Sequence, residues 1–557
     1  MLQVDYSKRH AAFQLVISKM TRHFLIISPD IIDFNMCLWY NTFNKKADEG
    51  VIEMKCRIIP IAAALIGLCS CGSDTKRVYP MKSDAVLTYY TGVQIGDEFL
   101  HRLEKETGVK LSMIYAPKEY NSNIDVLIAS GNLPDLIETA FSHSSFSIHS
   151  LIANNIILPL NQLLEDYSPN MNSYMQMHPD IASQLSTYEG EYYMYPFIHT
   201  DPKLQYTVGL MIREDWLREL DLLKPATIDE WTQVLRAFKY EKNAEIPLIN
   251  FFDEQYNIFC GAFGTQCGFF REDSTIVYGP LKPEFADFLS TMSSWYSEGL
   301  IDSNLITDKE VALQSILSGK SGAIEGYAGS SMNHLNYHLG KIDETAKMVC
   351  TNNPASKRGA LPQFGHYSGD VASTGGVVIS AACKTPELAA RFLDYGYSEE
   401  GMLLYNFGIR GVSYTMSYGK PVYTDRILNS PTDSIYTNMR RYIRANTNGP
   451  FIQMSEYIRQ YYLTPEQTDA SIVWSNSNAK THSIPILSFT DEEYALKQAL
   501  EGKIRDYTND MLRRFIIGVA PISEYTSFCR ELERLGVLQL TEIYQTAYDR
   551  YAAAMQK

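Results

Sequence analysis

Residues 85–138 read AVLTYYTGVQIGDEFLHRLEKETGVKLSMIYAPKEYNSNIDVLIASGNLPDLIE, and this stretch decides the fold class. Three runs in it are typical of strands, at residues 85–90, 110–115 and 135–138. Helical patterns separate these runs at residues 96–107 and 124–129, and Gly108 fits the C-cap of the first helix. Strands that alternate with helices in this way indicate βαβ units and a mainly parallel sheet. The sequence therefore predicts an α/β fold.

Helix-start signals recur along the rest of the chain. Capping boxes begin at Thr227, Thr464 and Thr490, each followed three positions later by Glu or Gln. Residues 283–298 carry apolar side chains at mostly helical spacing, which predicts a helix that packs into the core. From residue 490 onward, the tail is predicted to form a series of amphipathic helices.

A lipoprotein-type signal precedes the α/β region at residues 54–74, MKCRIIPIAAALIGLCSCGSD. A positive head is followed at residues 58–68 by an apolar run that is far shorter than the ~20 residues of a membrane-spanning helix. The run ends in a lipobox-like pattern, which predicts lipid attachment at Cys71. Cys69 fits less well because bulky Leu68 would lie at the cleavage point. The alternative interpretation is a buried apolar helix.

A signal peptide must lie at the N-terminus to be recognised. Met54 is therefore the expected start, and residues 1–53 are interpreted as a translated, non-native upstream extension. Residues 54–70 would be removed as the signal peptide, and residues 71–83 would form a polar tether. The mature chain is expected outside the cytoplasm, anchored by lipid to the cell membrane, either on a bacterial surface or in a periplasm.

The composition favours a folded protein that does not bind nucleic acid. Hydrophobic residues make up 45% of the chain, which supports a sizeable core. The net charge of −15 argues against a nucleic-acid partner, which requires a basic face. The cysteines after Cys71 are odd in number, so they cannot all pair within the chain. Cys260 and Cys267 could form a bridge, and buried free thiols are the alternative.

Motifs of common catalytic and cofactor sites are absent from the sequence. H-E-x-x-H, G-x-S-x-G and G-x-G-x-x-G do not occur. Residues 319–321 resemble the end of a P-loop, but Gln314 stands where the first Gly is required. His334 and His338 could share a helix face, yet the sequence places no third metal ligand near them. The sequence therefore marks no catalytic, metal or cofactor site, although a glycosidase pair of carboxylates would leave no motif.

Several motifs occur in the same order along the chain as in a known family, and together they resemble it. This family is the extracellular solute-binding proteins of ABC importers, of the family 1-like type. Residues 130–135 (SGNLPD) resemble an SG-x-x-PD signature, and residues 188–196 (YEGEYYMYP) resemble a DGK-x-Y-x-x-P hairpin. Residues 295–302 (WYSEGLID) are similar to WYKEGLIDP, and residues 318–323 (SGKSGA) to SGKAG, which explains the incomplete P-loop. Residues 543–551 (IYQTAYDRY) are very similar to the end of the LipO-type lipoprotein branch.

The resemblance covers nearly all of residues 71–557 and implies a two-lobed, periplasmic-binding-protein-like fold of type II. Hinge strands would join two α/β lobes, and the ligand would lie in the cleft between them. The chain would cross near residues 197–208, return near residues 362–374, and cross again after Tyr414. The N-terminal lobe would contain residues 84–200 and 370–420. The C-terminal lobe would contain residues 201–369 and 421–557.

Two departures from the family pattern bear on function. Relatives often carry a calcium loop where residues 240–247 read YEKNAEIP. Here the loop is shortened, Lys242 intrudes and the array of oxygen ligands is absent, so no calcium is expected. Relatives also tend to have GIEG where residues 408–411 read GIRG, so Arg410 reverses a charge that would alter binding if it faces the ligand.

The first candidate ligand contacts follow predicted strands. In open parallel sheets, ligands bind beyond the carboxyl ends of the strands. That rule selects Thr91 and Gly92 after the first strand, and Glu138 and Thr139 after the third. Glu138 would be a hydrogen-bond partner of the ligand.

The other candidates come from later loops. Tyr327 lies in a glycine-flanked loop, and Tyr367 and Asp370 lie near the expected second crossing. Trp474 lies in a polar stretch with no helical stripe to explain it. A sugar site needs an aromatic platform with a few placed polar groups. Trp474 and Tyr327 would be platforms, and Asp370 and Arg410 would be hydrogen-bond partners, although each of these residues could instead be structural.

The resemblance implies a lipid-anchored, substrate-binding component of an ABC importer that delivers its solute to membrane permease subunits. The expected ligand is an oligosaccharide. One alternative is a surface enzyme that degrades polysaccharides, which would not return its ligand intact. Another is a binding protein for peptides or other non-sugar solutes.

Overall fold

The computed structural model describes residues 79–117, 124–139, 144–251, 257–302, 304–371, 376–430 and 435–555. The predicted upstream extension, the signal peptide and the lipidation site Cys71 lie outside the described residues. The predicted tether is described only from Tyr79 onward.

The helices and strands fall into three stretches of the chain. The first contains β1 Val86–Thr91, α1 Asp97–Thr107, β2 Lys110–Tyr115, α2 Ile124–Ser130, β3 Leu136–Thr139, α3 Ile148–Ala153, α4 Asn161–Tyr167, α5 Pro169–Met177 and α6 Pro179–Gln184. The second contains α7 Pro202–Gln205, β4 Val208–Arg213, α8 Glu214–Glu219, α9 Ile228–Glu241, β5 Leu248–Ile249, α10 Asn257–Cys260, β6 Phe269–Glu272, β7 Thr275–Tyr278, α11 Glu284–Ser297, α12 Lys309–Leu317, β8 Ala323–Tyr327, α13 Asn333–Ile342 and β9 Met348–Cys350. The third contains β10 Gly376–Ile379, α14 Pro386–Asp394, α15 Glu399–Phe407, β11 Tyr414–Ser417, β12 Lys420–Tyr423, α16 Asp425–Leu428, α17 Ile435–Tyr442, α18 Ser455–Tyr461, α19 Pro465–Ser475, α20 Ala479–His482, α21 Asp491–Ile516, α22 Tyr525–Leu535 and α23 Val537–Ala554.

The first sheet has the strand order β10-β3-β1-β2. β1 pairs in parallel with β2 and β3, whereas β10 pairs antiparallel with β3. Helix α1 buries Phe99 and Leu103 and ends at Gly108, whose φ of 76° is left-handed. A Cβ at Gly108 would lie 2.1 Å from the carbonyl oxygen of Met81, so glycine is required there. The prediction of βαβ units is confirmed.

The second sheet has the order β5-β8-β4-β9 and is mixed. β4 pairs antiparallel with both β8 and β9, and β5 pairs in parallel with β8. The prediction of a mainly parallel sheet, made from residues 85–138, is confirmed for the first sheet. The sequence analysis makes no prediction of the strand order in the second sheet.

Each sheet lies at the centre of one lobe. The core of the first lobe combines side chains from residues 87–198 and 371–405 with Phe451. The second sheet is covered on both faces, because Leu210 and Ile212 belong to one core and Met211 to another. The predicted two-lobed α/β fold of type II is confirmed. The boundaries between the predicted lobes stay a prediction.

The tail completes the second lobe. Phe515, Phe528 and Leu540, from α21, α22 and α23 respectively, are buried in the same core as Trp295 of α11. The capping box at Thr490 begins α21, as the sequence predicts. Among the described residues, no helix is both long and apolar enough to cross a membrane.

The end of the predicted tether is part of the fold. The hydroxyl of Tyr79 donates to the carbonyl oxygen of Arg391 at 2.5 Å, and its ring packs edge-on against Tyr395. The Met81 amide donates to the carbonyl oxygen of Thr107 at 2.7 Å. Tyr79 and Met81 therefore contact the first lobe, and the bounds of the tether stay a prediction.

The described cysteines are unbridged. Cys260 and Cys267 are both buried and no disulfide joins them, so the alternative of a bridge between them is not realised.

Candidate ligand site at the junction of the two lobes

Three strand segments run side by side, and Ile198, Val371 and Phe451 from these segments belong to the core of the first lobe. Ile198 pairs antiparallel with Val371 and parallel with Ile452. The Ile198 amide donates to the carbonyl oxygen of Phe451 at 3.1 Å, and the Gln453 amide donates to the carbonyl oxygen of Ile198 at 2.8 Å. We call residues 197–199, 369–371 and 450–453 the junction. These segments fall within the ranges where the sequence predicts chain crossings, and the crossings themselves stay a prediction.

The carboxyl ends of the first sheet are partly closed by the protein itself. Thr91 is buried, and its hydroxyl oxygen accepts from the Val93 amide at 3.0 Å. Gly92 is exposed. Thr139 is the last residue of β3, and its side chain lies outside the described part of the structure. None of the three has a defined role in this geometry, so each stays a prediction.

Glu138 forms a buried ion pair. Its Oε1 accepts from Nη2 of Arg444 at 2.8 Å, and its Oε2 accepts from the hydroxyl of Tyr89 at 2.7 Å. Both partners of the ion pair have side chains that are only 3% exposed. Burial alone would lower the pKa of Arg444, but the adjacent Glu138 carboxylate raises it by a larger amount. The net effect is a raised pKa, so the guanidinium stays charged. The expectation that Glu138 offers a free carboxylate to a ligand is corrected, because both oxygens have protein partners.

Tyr367 contacts Asp370, which is part of the junction. Asp370 accepts from the Tyr367 hydroxyl at 3.0 Å, from Nε2 of Gln205 at 2.7 Å and from Nζ of Lys480 at 2.9 Å. The ring of Tyr206 lies 5.4 Å from that of Tyr367, between centroids. Burial and the Asp370 charge raise the pKa of Tyr367, so its hydroxyl remains a hydrogen-bond donor.

Of the two expected platforms, only Tyr327 is exposed to solvent. It ends β8 and is 41% exposed. Trp474 is fully buried in α19 and fills the space beside Gly209 of β4, where a Cβ would lie 2.4 Å from its ring. The expectation that Trp474 is a stacking platform is therefore wrong. The capping box at Thr464 carries the missed signal, because the helix that it starts extends through Trp474.

Arg410 is exposed and pairs through its backbone with Tyr414. Burial raises the pKa of Tyr414, while the charge of Arg410 lowers it. The predicted role of Arg410 as a hydrogen-bond partner of the ligand stays a prediction.

Sequence reasoning missed a set of polar groups next to the junction. Glu325, in the middle of β8, is 2% exposed, and its Oε1 contacts Nε2 of His366. Asn353 lies against Gly365, where a Cβ would be 2.2 Å from its amide nitrogen. Asn446 lies in the loop that leads to the third crossing segment. No motif marks these residues, although His366 falls inside the predicted second crossing.

The turn at residues 240–247 does not suit calcium. The ammonium of Lys242 contacts the carboxylate of Glu219 and lies 5.9 Å from the ring centroid of Trp216. Lys320 pairs with Glu245 at 3.0 Å. A cation side chain therefore stands where oxygen ligands would be needed. Across the described residues, no group of three or more His, Cys, Asp or Glu side chains could hold a metal ion.

The fold and the junction define a class of two-lobed binding proteins, and comparison identifies the family. The family model described as "Bacterial extracellular solute-binding protein" matches residues 89–403, more than half of the chain. The chain belongs to this family, as its motifs indicate, and an extracytoplasmic location follows from that membership.

Three relatives illustrate the similarity. The fructooligosaccharide ABC transporter substrate-binding protein FusA of Streptococcus pneumoniae is 23% identical over 92% of this chain and 99% of its own length. Lipoprotein LipO of Bacillus subtilis is 26% identical over 66% of this chain and 75% of its own. The crystal structure of the alginate-binding protein AlgQ2 without calcium ion superposes with a TM-score of 0.68 at 24% identity, over 83% of this chain and 97% of that one.

Proposed function

We propose that this chain is the substrate-binding component of an ABC importer and that its ligand is an oligosaccharide. The observation that supports this most directly is the three-segment junction, beside which Tyr206, Tyr367 and Asp370 combine aromatic rings with placed polar groups. Sugar sites need this combination. The name of the FusA relative, which covers most of the chain, states both the transporter class and a sugar ligand. The chain would release its ligand unchanged to a permease.

The contacts of the proposed site are drawn from both lobes. From the first lobe we retain Thr91, Gly92 and Thr139, and from the second lobe and the junction we retain Tyr327, Tyr367 and Asp370. As a working division, residues 84–200 and 370–420 form the first lobe, and residues 201–369 and 421–557 the second. Opening and closing would occur by bending at the junction.

The chain is also proposed to be anchored to the cell membrane through lipid on Cys71. The signal at residues 54–74 supports the anchor, and one relative is named a lipoprotein. Detergent phase partition of the protein from expressing bacteria tests it. The wild type should enter the detergent phase, and the Cys71→Ala variant should stay in the aqueous phase. Aqueous partition of both would contradict lipidation without touching the binding function.

Calorimetric titration with a panel of oligosaccharides, with peptides as a second panel, tests the binding function. Mass spectrometry of each ligand after the titration separates binding from catalysis. Heat with an intact sugar supports the proposal. A cleaved sugar would establish a polysaccharide-degrading enzyme instead, and heat with peptides alone would overturn the sugar ligand.

A further inference from the structure

Several buried polar atoms next to the junction have no hydrogen-bond partner among the described residues. They are Oε2 of Glu325, Oγ1 of Thr351, Oδ1 of Asn353, Nδ1 of His199, and both Oδ1 and Nδ2 of Asn446. Buried polar atoms are nearly always paired in folded proteins, because burial without a partner is costly. Their concentration beside the junction indicates that a bound molecule completes their hydrogen bonds.

Glu325, Thr351 and Asn353 form one wall, on the second lobe. Glu325 lies opposite Leu210 in the β4–β8 pair, and the Thr351 amide donates to the carbonyl oxygen of Leu210 at 3.0 Å. Directly opposed residues of antiparallel strands point to the same face, so Glu325 and Thr351 flank Leu210 on that face. Residues 365–366 lie against this wall, because Gly365 approaches Asn353 and His366 contacts Glu325.

Asn446 represents a second wall, and its loop is fixed at both ends. Arg444 holds one end through Glu138 of the first sheet and donates to Oγ1 of Thr447 at 3.1 Å. Nε2 of Gln453, in the third crossing segment, donates to the carbonyl oxygen of Ala445 at 2.5 Å. A loop held in this way presents the amide of Asn446 in a defined position.

The chemistry of these groups selects one kind of ligand. Four of the six unpartnered atoms are oxygens, and one of these belongs to a buried carboxylate. Two nearby cations already have carboxylate partners, because Arg444 pairs with Glu138 and Lys480 with Asp370, and the ring of His366 contacts the other oxygen of Glu325, Oε1. Such a surface receives hydrogen bonds from hydroxyl groups and repels a carboxylate.

We propose that the ligand presents an uncharged, hydroxyl-rich sugar unit to Glu325, Asn353 and Asn446, and that the site selects against acidic sugars. This inference rests on the proposed function and narrows its ligand class. The hydroxyls donate to the free oxygens of Glu325 and Asn353, and the amide of Asn446 both donates to and accepts from the sugar.

Calorimetry of the natively processed protein compares uncharged oligosaccharides with galacturonate and alginate oligomers of equal length. Uncharged sugars should bind, and acidic oligomers should bind at least about tenfold more weakly, if at all. Tighter binding of an acidic oligomer would overturn the inference and leave the proposed function standing. Binding of neither sugar class would overturn the proposed function as well, so the two failures are distinct.

Variants separate recognition from folding. Asn353→Ala and Asn446→Ala should each weaken binding of an uncharged sugar roughly tenfold. The melting temperature without ligand should be unchanged or higher in the Asn446→Ala variant, since neither polar atom of that amide has a partner. Glu325→Gln should shift the affinity ratio toward acidic oligomers. Ser321→Ala is the matched control, because its hydroxyl is also buried and unpartnered but lies before β8, away from the junction. Unchanged affinity in both asparagine variants, or a loss of their stability in its place, would contradict the assignment.

Discussion

Two aromatic residues, Trp474 and Tyr327, show how burial divides structural roles from possible binding roles. Trp474 is fully buried against Gly209, whereas the ring of Tyr327 is 41% exposed at the end of β8. Trp474→Ala would leave a large cavity, so we expect the free energy of unfolding to fall by about 3–5 kcal/mol. Tyr327→Ala removes a ring that is partly exposed, so it should lower the free energy of unfolding much less than Trp474→Ala does while it weakens sugar binding. Urea denaturation and calorimetry measure the two effects.

The opposite result for Trp474→Ala would contradict its structural role. If Trp474 were a stacking platform, its alanine variant would keep its stability and lose affinity. Phenylalanine at position 474 is a useful intermediate, because it keeps part of the buried volume and should recover part of the stability. The sequence could not distinguish the two residues, because the partner of Trp474 is a glycine far earlier in the chain.

At the level of elements, a contact between α21 and the first lobe depends on pH. Nδ1 of His149 lies 3.0 Å from Oδ2 of Asp491, and Nε2 lies 3.6 Å from Oε2 of Glu189. Burial alone would lower the pKa of His149, but the hydrogen bond and charge of Asp491, with the charges of Glu189 and Glu191, raise it above its ordinary value. The resulting stabilisation is complete below about pH 6.5, the pKa of an unfolded histidine, and is lost as the pH rises through the folded pKa.

We therefore expect His149→Gln to destabilise the protein more at pH 5.5 than at pH 8.5. Urea denaturation of the variant and the wild type at both pH values measures the difference. His101→Gln, on the exposed side of α1, is the control and should show no such contrast. An equal effect of His149→Gln at the two pH values would contradict the ion pair with Asp491.

The turn between α9 and β5 gives a second prediction at this scale. Because Lys242 contacts Glu219 there, a lysine ammonium supplies the positive charge of the turn. We expect the melting temperature to be the same in a calcium chelator and in millimolar calcium. A loss of stability in the chelator that calcium restores would show that the turn binds the ion after all.

Short local sequence signals predicted where helices begin. Features that depend on contacts between distant parts of the chain could not be predicted in this way. The three capping boxes begin helices where the sequence places them, because each box is complete within four residues. The first sheet could be predicted because its βαβ units are adjacent in the chain. The second sheet could not be predicted, because β4 pairs with strands that come much later in the chain. The unpartnered amide of Asn446 has no sequence signature, since it depends on the packing of three crossing segments.

For the whole molecule, the contact at the start of α21 connects the two lobes at a place other than the junction. Ser147 is the N-cap of α3, whose Leu151 lies in the first core, and its hydroxyl contacts the carboxylate of Asp491. The same helix α21 buries Ile504 and Phe515 in the second lobe. If the lobes must separate to admit a ligand by bending at the junction, this contact must open too.

A disulfide at this contact tests that motion, because the two side chains already meet there. We expect the oxidised Ser147→Cys, Asp491→Cys variant to bind sugar at least about tenfold more slowly than its reduced form, since a covalent link between the lobes opposes opening. Stopped-flow fluorescence before and after reduction measures the rates, and the Asp491→Cys single variant controls for the oxidant. Equal rates in the two redox states would mean that ligand enters without separation of the lobes at α21, and bending would then be confined to the opposite side of the junction.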